Sequence, residues 1–365
     1  MEDRIKIAFI VCSNNELYYN ECAWYIRNLQ VPSGYETELI CISDAESIAQ
    51  AYNAAMAESD AKYKVYLHQD VFIYHRQFID DLLQIFQSHP EIGLVGMLGS
   101  DRLPENAFLC SAWNVGSTYV CNFLAVSSLC GDQNRKQGWT EVKAIDGMLM
   151  ATQYDIRWRE DLPLGWDFYD VSQSLEFLRR GYKIAVPFQD KPWCMHDCGR
   201  SKMAQYDRAR KVILEEYRDF FSGKFCFQYN LEYQPAQERI FTVIKDCMEQ
   251  GKFDEALKIR KRIPNKAVGV NELQYALNLL DIYECERNRD AGVESFFSGA
   301  HTWADMKDKY DTIKFIVRHA ENGTNEDAVK SLTASMGNGA ISTEAVKTII
   351  SHSVFDVEKV IKRFI

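Results

Sequence analysis

Residues 62–73 read KYKVYLHQDVFI, and the fold is decided there. An apolar, aromatic run, Val65-Tyr66-Leu67, stops at three hydrogen-bonding or charged side chains, His68, Gln69 and Asp70. A second apolar run, Val71-Phe72-Ile73, follows at once. Unbroken apolar character is the pattern of a strand covered on both faces. Open α/β sheets collect their ligands at the carboxyl ends of such strands. The expectation is that Asp70 holds a divalent cation at that edge. The plain alternative is that His68-Gln69-Asp70 is a polar turn.

Upstream, residues 5–11 (IKIAFIV) predict a first central strand, and 16–29 a helix with apolar positions at Leu17, Cys22, Trp24, Tyr25 and Leu29. Residues 38–42 (ELICI) predict a second strand, 48–58 (IAQAYNAAMAE) a second helix and 62–67 the third strand. Strand, helix, strand, helix, strand is the signature of parallel α/β units. Each strand ends in polar residues: Ser13, Asn14 and Asn15, then Ser43 and Asp44, then His68 and Asp70. Three such ends delivered to one edge form a nucleotide-sized crevice. No GxGxxG or GxxxxGK[ST] occurs near these turns, so a dinucleotide site or P-loop is unsupported. A diphosphate without a glycine-rich cradle needs another cation, and a carboxylate-held Mg2+ or Mn2+ supplies it.

Downstream, 78–86 predicts an amphipathic helix and 92–98 a fourth strand. Residues 99–139 read equally as a mobile lid or substrate loop and as an irregular surface excursion. Residues 141–152 (EVKAIDGMLMAT) return to strand character with Asp146-Gly147 in the middle, and a glycine inside a strand marks close approach by a ligand or another backbone. The stretch LPLGWDFYDVSQSLEFLRRGYKIAV, residues 162–186, places Asp167 and Asp170 around two aromatics at a helix start. Arg179-Arg180-Gly181 closes that helix and a strand follows. Asp170 reads equally as a helix cap and as a catalyst. Residues 193–199 place His196 in a loop. From about residue 230 the chain reads as helical, with two helices over 238–263 joined at Gly251-Lys252 and further helices over 271–285, 295–319, 326–336 and 342–365. GKFDEAL resembles one turn of a tetratricopeptide-like hairpin, but no clean 34-residue repeat follows. The predicted organisation is an α/β domain over 1–235 and an all-α domain over 236–365, the latter for a protein partner or homo-oligomer contacts.

A formal net charge of −10 argues against a general nucleic-acid binder and against adhesion to acidic membranes. The eleven cysteines are scattered and odd in number, unlike a secreted disulfide framework. The first apolar run is short and β-branched, a strand rather than a signal peptide, and no stretch approaches a membrane span. The expected setting is cytoplasmic, with peripheral attachment at the inner face of the membrane left open.

In order along the chain, IAFIVCSNN, ICISD, AYNAAMAES, VYLHQDVF, AIDGMLMAT, GWDFYDVSQSLEFLRRGYKIAV and CMHD resemble the motifs of GT-A-fold glycosyltransferases of the family-2-like branch, over about residues 4–200. The resemblance implies a GT-A Rossmann-like mixed sheet flanked by helices. It implies metal-assisted transfer of a hexosyl unit from a nucleoside-diphosphate sugar, a UDP-sugar favoured, to a hydroxyl of a glycan, lipid-linked glycan or protein acceptor. Stereochemistry would invert, with an Asp general base. Carried onto this chain, Ser13, Asn14 and Asp44 line the base and ribose pocket, and Asn53 supports the nucleotide side of the sheet. His68 and Gln69 flank the donor, and Asp70 binds Mg2+ or Mn2+. His196 matches a further metal or phosphate ligand, and Asp146 and Gly147 lie near the donor sugar. Asp170 is the implied general base, with Asp167 second. The chain departs from the family at His68, which occupies the first acidic position of the usual DXD motif. Trp113, Trp139, Trp166 and Trp193 are candidates to stack on sugar rings. Three other readings stand beside this one: a sugar-phosphate nucleotidyltransferase, whose basic glycine-rich loop CSNNELYY lacks; a catalytically degenerate nucleotide-sugar-binding protein with a helical partner-binding domain; and a zinc site from Cys194, His196 and Cys198.

Overall fold

Tyr63 to Leu67 are all buried, and the covering on both faces comes from helices. In the computed structural model of the chain, residues 4–109, 112–122, 125–130, 138–197, 205–221, 226 and 234–263 are described, with helical positions at 273, 276, 277, 279 and 280. The strands are Ile5–Cys12 (β1), Tyr35–Ile42 (β2), Tyr63–His68 (β3), Val71–Ile73 (β4), Ile92–Gly96 (β5), Leu98–Ser100 (β6) and Val115–Asn122 (β7). Ala125–Cys130 (β8), Trp139–Val142 (β9), Ala144–Ile145 (β10), Leu149–Thr152 (β11), Lys183–Pro187 (β12) and Cys194–His196 (β13) follow. The helices are Glu16–Arg27 (α1), Ile48–Glu58 (α2), Phe78–Ser88 (α3), Tyr169–Arg179 (α4), Tyr206–Glu216 (α5), Gln234–Glu249 (α6) and Phe253–Arg260 (α7).

The main sheet is seven-stranded in the order β2-β1-β3-β11-β5-β12-β9. β2, β1 and β3 run parallel, with Cys12 opposite both Ile42 and His68. Their carboxyl ends therefore share one edge. β11 runs antiparallel to β3, Leu149 opposite Leu67, so its beginning lies at that same edge. Strand alternation sorts the core. Ala8, Ile10 and Tyr66 pack with Ile48, Ala51, Tyr52 and Ala55 of α2 and Phe177 of α4. Residues of the other parity meet α3, where Phe9 lies 6.4 Å from Phe78 and Tyr63 stacks 5.8 Å from Phe86. Each fully buried large apolar side chain contributes roughly 1.5–3 kcal/mol.

Helix ends follow local chemistry. Ser47 caps α2 by accepting from the Gln50 N–H at 3.2 Å, while the Gln50 side chain accepts from the Glu46 N–H at 3.0 Å. The first bond satisfies an N–H group the helix itself leaves open, and the second ties down the residue before the cap. At the end of α4, Gly181 adopts a φ of +81° and the Tyr182 N–H returns to the Phe177 carbonyl at 3.1 Å. That is the glycine-terminated stop expected from Arg180-Gly181.

Two expectations need correction. Residues 141–152 are not one strand with a glycine inside: β9, β10 and β11 are separate, and Asp146-Gly147 forms the turn between the last two. The apolar residues run on across the turn, so composition hides the break. His196 is not in a loop but ends β13, which pairs antiparallel with β4 so that His196 faces Val71. A smaller sheet in the order β10-β6-β7-β13-β4 holds that pair, with β8 beside β7.

The described residues fall into two compact units, the first mainly within 1–229 and the second mainly from 230 onward. The second contains the two helices expected to join at Gly251-Lys252, α6 and α7, and the φ of Gly251 is +70°. Ile244 and Met248 of α6 and Ala256 and Leu257 of α7 are buried. The helices expected over 295–319, 326–336 and 342–365 lie outside the described residues, as does most of 271–285. Among the described residues, no helix is long and apolar enough to cross a membrane.

Candidate functional site

His68 ends β3, Asp70 opens the way into β4, and His196 ends the strand paired with β4. A backbone bond from the Asp197 N–H to the Asp70 carbonyl, 2.9 Å, ties the two approaches together. Strand pairing thus brings together residues 128 positions apart. His68 Nδ1 lies 3.4 Å from His196 Nε2 and 3.9 Å from Asp70 Oδ1, and His196 Nε2 lies 3.6 Å from the same oxygen. Those separations are short enough for one divalent ion to be reached by all three atoms. His68, Asp70 and His196 therefore form a possible metal-binding cluster. The donor set, two imidazoles and one carboxylate, is complete enough to hold such an ion and leaves open positions for ligand oxygens.

The three groups are shifted in different directions. Burial pushes the Asp70 carboxyl up, but the facing His196 and His68 outweigh it and hold Asp70 below the usual carboxylate range. Burial keeps His68 below the usual histidine range. At His196 burial works the same way, yet Asp70 outweighs it and raises the imidazole.

On the β1 side, Gln69 is a hub. Its Oε1 accepts from Ser13 Oγ at 2.7 Å, the Asn15 N–H at 2.9 Å and the Asn14 N–H at 3.1 Å, and its Nε2 donates to Asn14 Oδ1 at 2.8 Å. Ser13, Asn14 and Gln69, expected around the nucleotide, are thus brought together and bonded to one another. Asp44 lies exposed at the end of β2 with a φ of +58°. Asn53 uses both side-chain ends on the segment beyond β11: Nδ2 donates to the Trp158 carbonyl and Glu160, and Oδ1 accepts from the Trp158 N–H. It straps Trp158 beneath the edge.

On the β11 side, Asp170 accepts from the Gly147 N–H at 2.8 Å and from the Val171 N–H at 2.7 Å. The N-cap position of α4 is Phe168, so Asp170 is not the cap but a first-turn acid whose carboxylate ties the helix start to Gly147. Burial first, and the charge of Asp146 second, raise its pKa to about 7 despite those donors. Asp167, also half-buried, is raised by burial to about 6. Phe168, between them, adopts a φ of +56°, strained for a bulky side chain. Such strain costs about 1–3 kcal/mol and tends to persist at functional sites.

Tyr169 is the residue that sequence reasoning missed. Its hydroxyl hydrogen-bonds His68 Nε2. A Cβ on Gly147 would sit 2.2 Å from that hydroxyl and 2.9 Å from the Asp170 Cβ. The glycine is needed for close approach, and what approaches is Tyr169 and Asp170. The only sequence signal was an aromatic beside an acid at a helix start. Trp166 is exposed, Trp113 and Trp139 are half-buried, and Trp193 is buried with His75 stacked on it at 4.7 Å. The zinc reading loses support: the buried Cys194 thiol is raised to about 12 by burial and bonded to Thr118, while Cys198 lies outside the described residues.

The family described as "Glycosyltransferase like family" matches residues 8–217. No curated protein matches the chain. Among solved structures, it is similar to the mannosyltransferase PcManGT from Pyrobaculum calidifontis in complex with GDP-Man and Mn2+, at 11% identity and a TM-score of 0.36, covering 99% of this chain and 86% of that one. It is similar also to S. aureus TarS in complex with UDP-GlcNAc, at 12% identity and a TM-score of 0.40, covering 86% of this chain and 92% of that one.

Proposed function

The chain belongs to the glycosyltransferase-like family, and from that premise we propose that it transfers a sugar from a nucleoside-diphosphate sugar, a UDP-sugar first among them, to an acceptor hydroxyl with inversion. The observation that carries this reading is the pairing, at one sheet edge, of a metal-type cluster with a carboxylate whose pKa is about 7. His68, Asp70 and His196 would hold Mn2+ or Mg2+, and the bound ion supplies Lewis acidity toward a leaving diphosphate. Gln69 fixes the 13–15 loop, so the floor for a nucleoside is set before the donor arrives. Asp170 takes the proton of the acceptor hydroxyl as that oxygen bonds to the anomeric carbon. The bond from the anomeric carbon to the diphosphate breaks, and the nucleoside diphosphate leaves with the electron pair.

A general base is most effective with a pKa near the working pH, and about 7 meets that condition. Base and cation-holding acid also come from different elements, α4 and the β3–β4 turn, so the cation need not neutralise the base. Residues 1–235 would form the catalytic domain, and the helical residues from 236 would serve partner contacts or self-association. The acceptor is a glycan, lipid-linked glycan or protein hydroxyl.

The test is calorimetry of UDP and GDP binding with and without Mn2+, followed by a thermal-shift screen of nucleotide sugars. Mn2+ should tighten binding of one of the two nucleotides. Equal binding with and without the ion removes the role assigned to Asp70.

A further inference from the structure

The choice of histidine at position 68 has chemical consequences that extend past the reading above and rest on it. A centre built from two imidazole nitrogens and one carboxylate oxygen is poorly suited to Mg2+, which is hard, prefers all-oxygen octahedra and gives up water reluctantly. Mn2+ and the heavier first-row ions accept mixed nitrogen and oxygen sets. Only Asp70, among the three residues, offers a hard anionic oxygen.

The geometry also says which nitrogen of His68 serves. Nδ1 faces His196 Nε2 and Asp70, and Nε2 faces the Tyr169 hydroxyl. An imidazole that ligates through Nδ1 carries its proton on Nε2, and the Tyr169 oxygen stands where that proton is received. Tyr169 is itself held firmly. Its ring lies 6.2 Å from Tyr52 and 6.1 Å from Trp158, and those two lie 4.9 Å apart. Tyr66 completes the wall at 4.8 Å from Tyr52 and 5.0 Å from Trp158. The Asn53 strap fixes Trp158 from behind. Gly147 leaves the space the hydroxyl fills.

We propose that Tyr169 is a positioning residue that fixes His68 as an Nδ1 ligand, and that the resulting centre takes Mn2+ or a heavier first-row divalent ion and rejects Mg2+. A buried aromatic wall is thereby coupled to cation choice. The substitution of histidine for an acid at position 68 is a specificity device rather than a loss of function.

The experiment uses the full chain with UDP present. Mn2+ binding is followed by loss of the free-ion electron paramagnetic resonance signal, and Mg2+ by competition against it. The expected result is Mn2+ binding at least about a hundredfold tighter than Mg2+. His68→Asp should narrow that ratio at least about tenfold by gaining Mg2+ affinity, an outcome that damage to the fold cannot mimic. Tyr169→Phe should weaken Mn2+ binding about ten- to a hundredfold and change the His68 tautomer seen by nitrogen-15 NMR. Equal affinities for the two ions in the wild type overturn this inference while leaving a metal site in place. No binding of either ion overturns it together with the metal reading on which it rests. Unchanged Mn2+ affinity and tautomer in Tyr169→Phe remove the role of Tyr169.

Discussion

Asp70 and Asp170 flank the same sheet edge, and their surroundings drive them in opposite directions. Asp70 follows β3 and faces two imidazoles, which hold it below the usual carboxylate range in spite of burial. Asp170 lies in the first turn of α4, faces the Asp146 carboxylate, and is pushed to about 7. Two backbone N–H donors are not enough to bring it down. One carboxylate stays charged and suits a cation; the other exchanges a proton near neutrality and suits a base. When environments push two acids apart, their roles are told apart as well.

The sharpest way to break the comparison is Asp70→Ala. Transfer should fall below detection, and Mn2+ should no longer tighten nucleotide binding in calorimetry. Lewis-acid stabilisation of a leaving group is worth several kcal/mol, so no partial phenotype is expected. Transfer at the wild-type rate would place the cation, if any, elsewhere. Next in size is Asp170→Asn. Loss of a general base costs about 10²–10⁴-fold in kcat, while donor affinity in the calorimeter should hold. A comparable loss in donor affinity would make Asp170 a binding residue instead.

The pH profile sharpens the contrast further. Asp170 must be unprotonated to accept a proton, so kcat should rise with pH through about 7. The groups facing it are Asp146 across the β10–β11 turn and Tyr169 beside it, with His68 behind the tyrosine. Asp146→Asn removes the like charge and should move the rise to lower pH, by about one unit, with the plateau kept. A rise that stays put would mean another group titrates.

Unequal legibility divides the edge in the same way. The parallel half was readable because IKIAFIV, ELICI and VYL are continuous apolar runs separated by helices of ordinary period. A 3.6-residue period and a run of β-branched residues are local facts. The remainder of the edge depends on pairing between distant segments. β4 and β13 have three residues each, too few to show any period. Nothing local says that β11 inserts antiparallel between β3 and β5. That insertion delivers Asp146 and Gly147 to the edge, and Gly147 in turn admits Tyr169. Asp70, Asp170 and His196 could be singled out as candidates from their residue types and order. Tyr169 could not, because its role exists only once β11 and α4 are in place. Gly147→Ala tests that dependence. The added Cβ strikes the Tyr169 hydroxyl and Asp170, and such overpacking costs about 1–3 kcal/mol. The loss of stability should come with weaker Mn2+ binding, since the same tyrosine supports His68.

The smallest effect separates Asp170 from its neighbour Asp167. Asp167 is raised to about 6 by burial alone, with no opposing acid as the cause. Its folded value lies above the unfolded one, so folding favours the protonated form. Stability from this group is present below about pH 4 and is lost as pH rises from about 4 to 6, after which the cost is constant. Asp167→Asn replaces the carboxylate with a neutral group of the same shape. It should leave stability unchanged at pH 4 and raise it at pH 8 by on the order of 1 kcal/mol, the partly exposed carboxylate being screened by solvent, read from urea midpoints at the two pH values. Its kcat should stay within about threefold of wild type, where Asp170→Asn falls by orders of magnitude. If Asp167→Asn instead abolishes transfer, the base is at 167, and the raised Asp170 marks only a buried carboxylate pressed against Asp146.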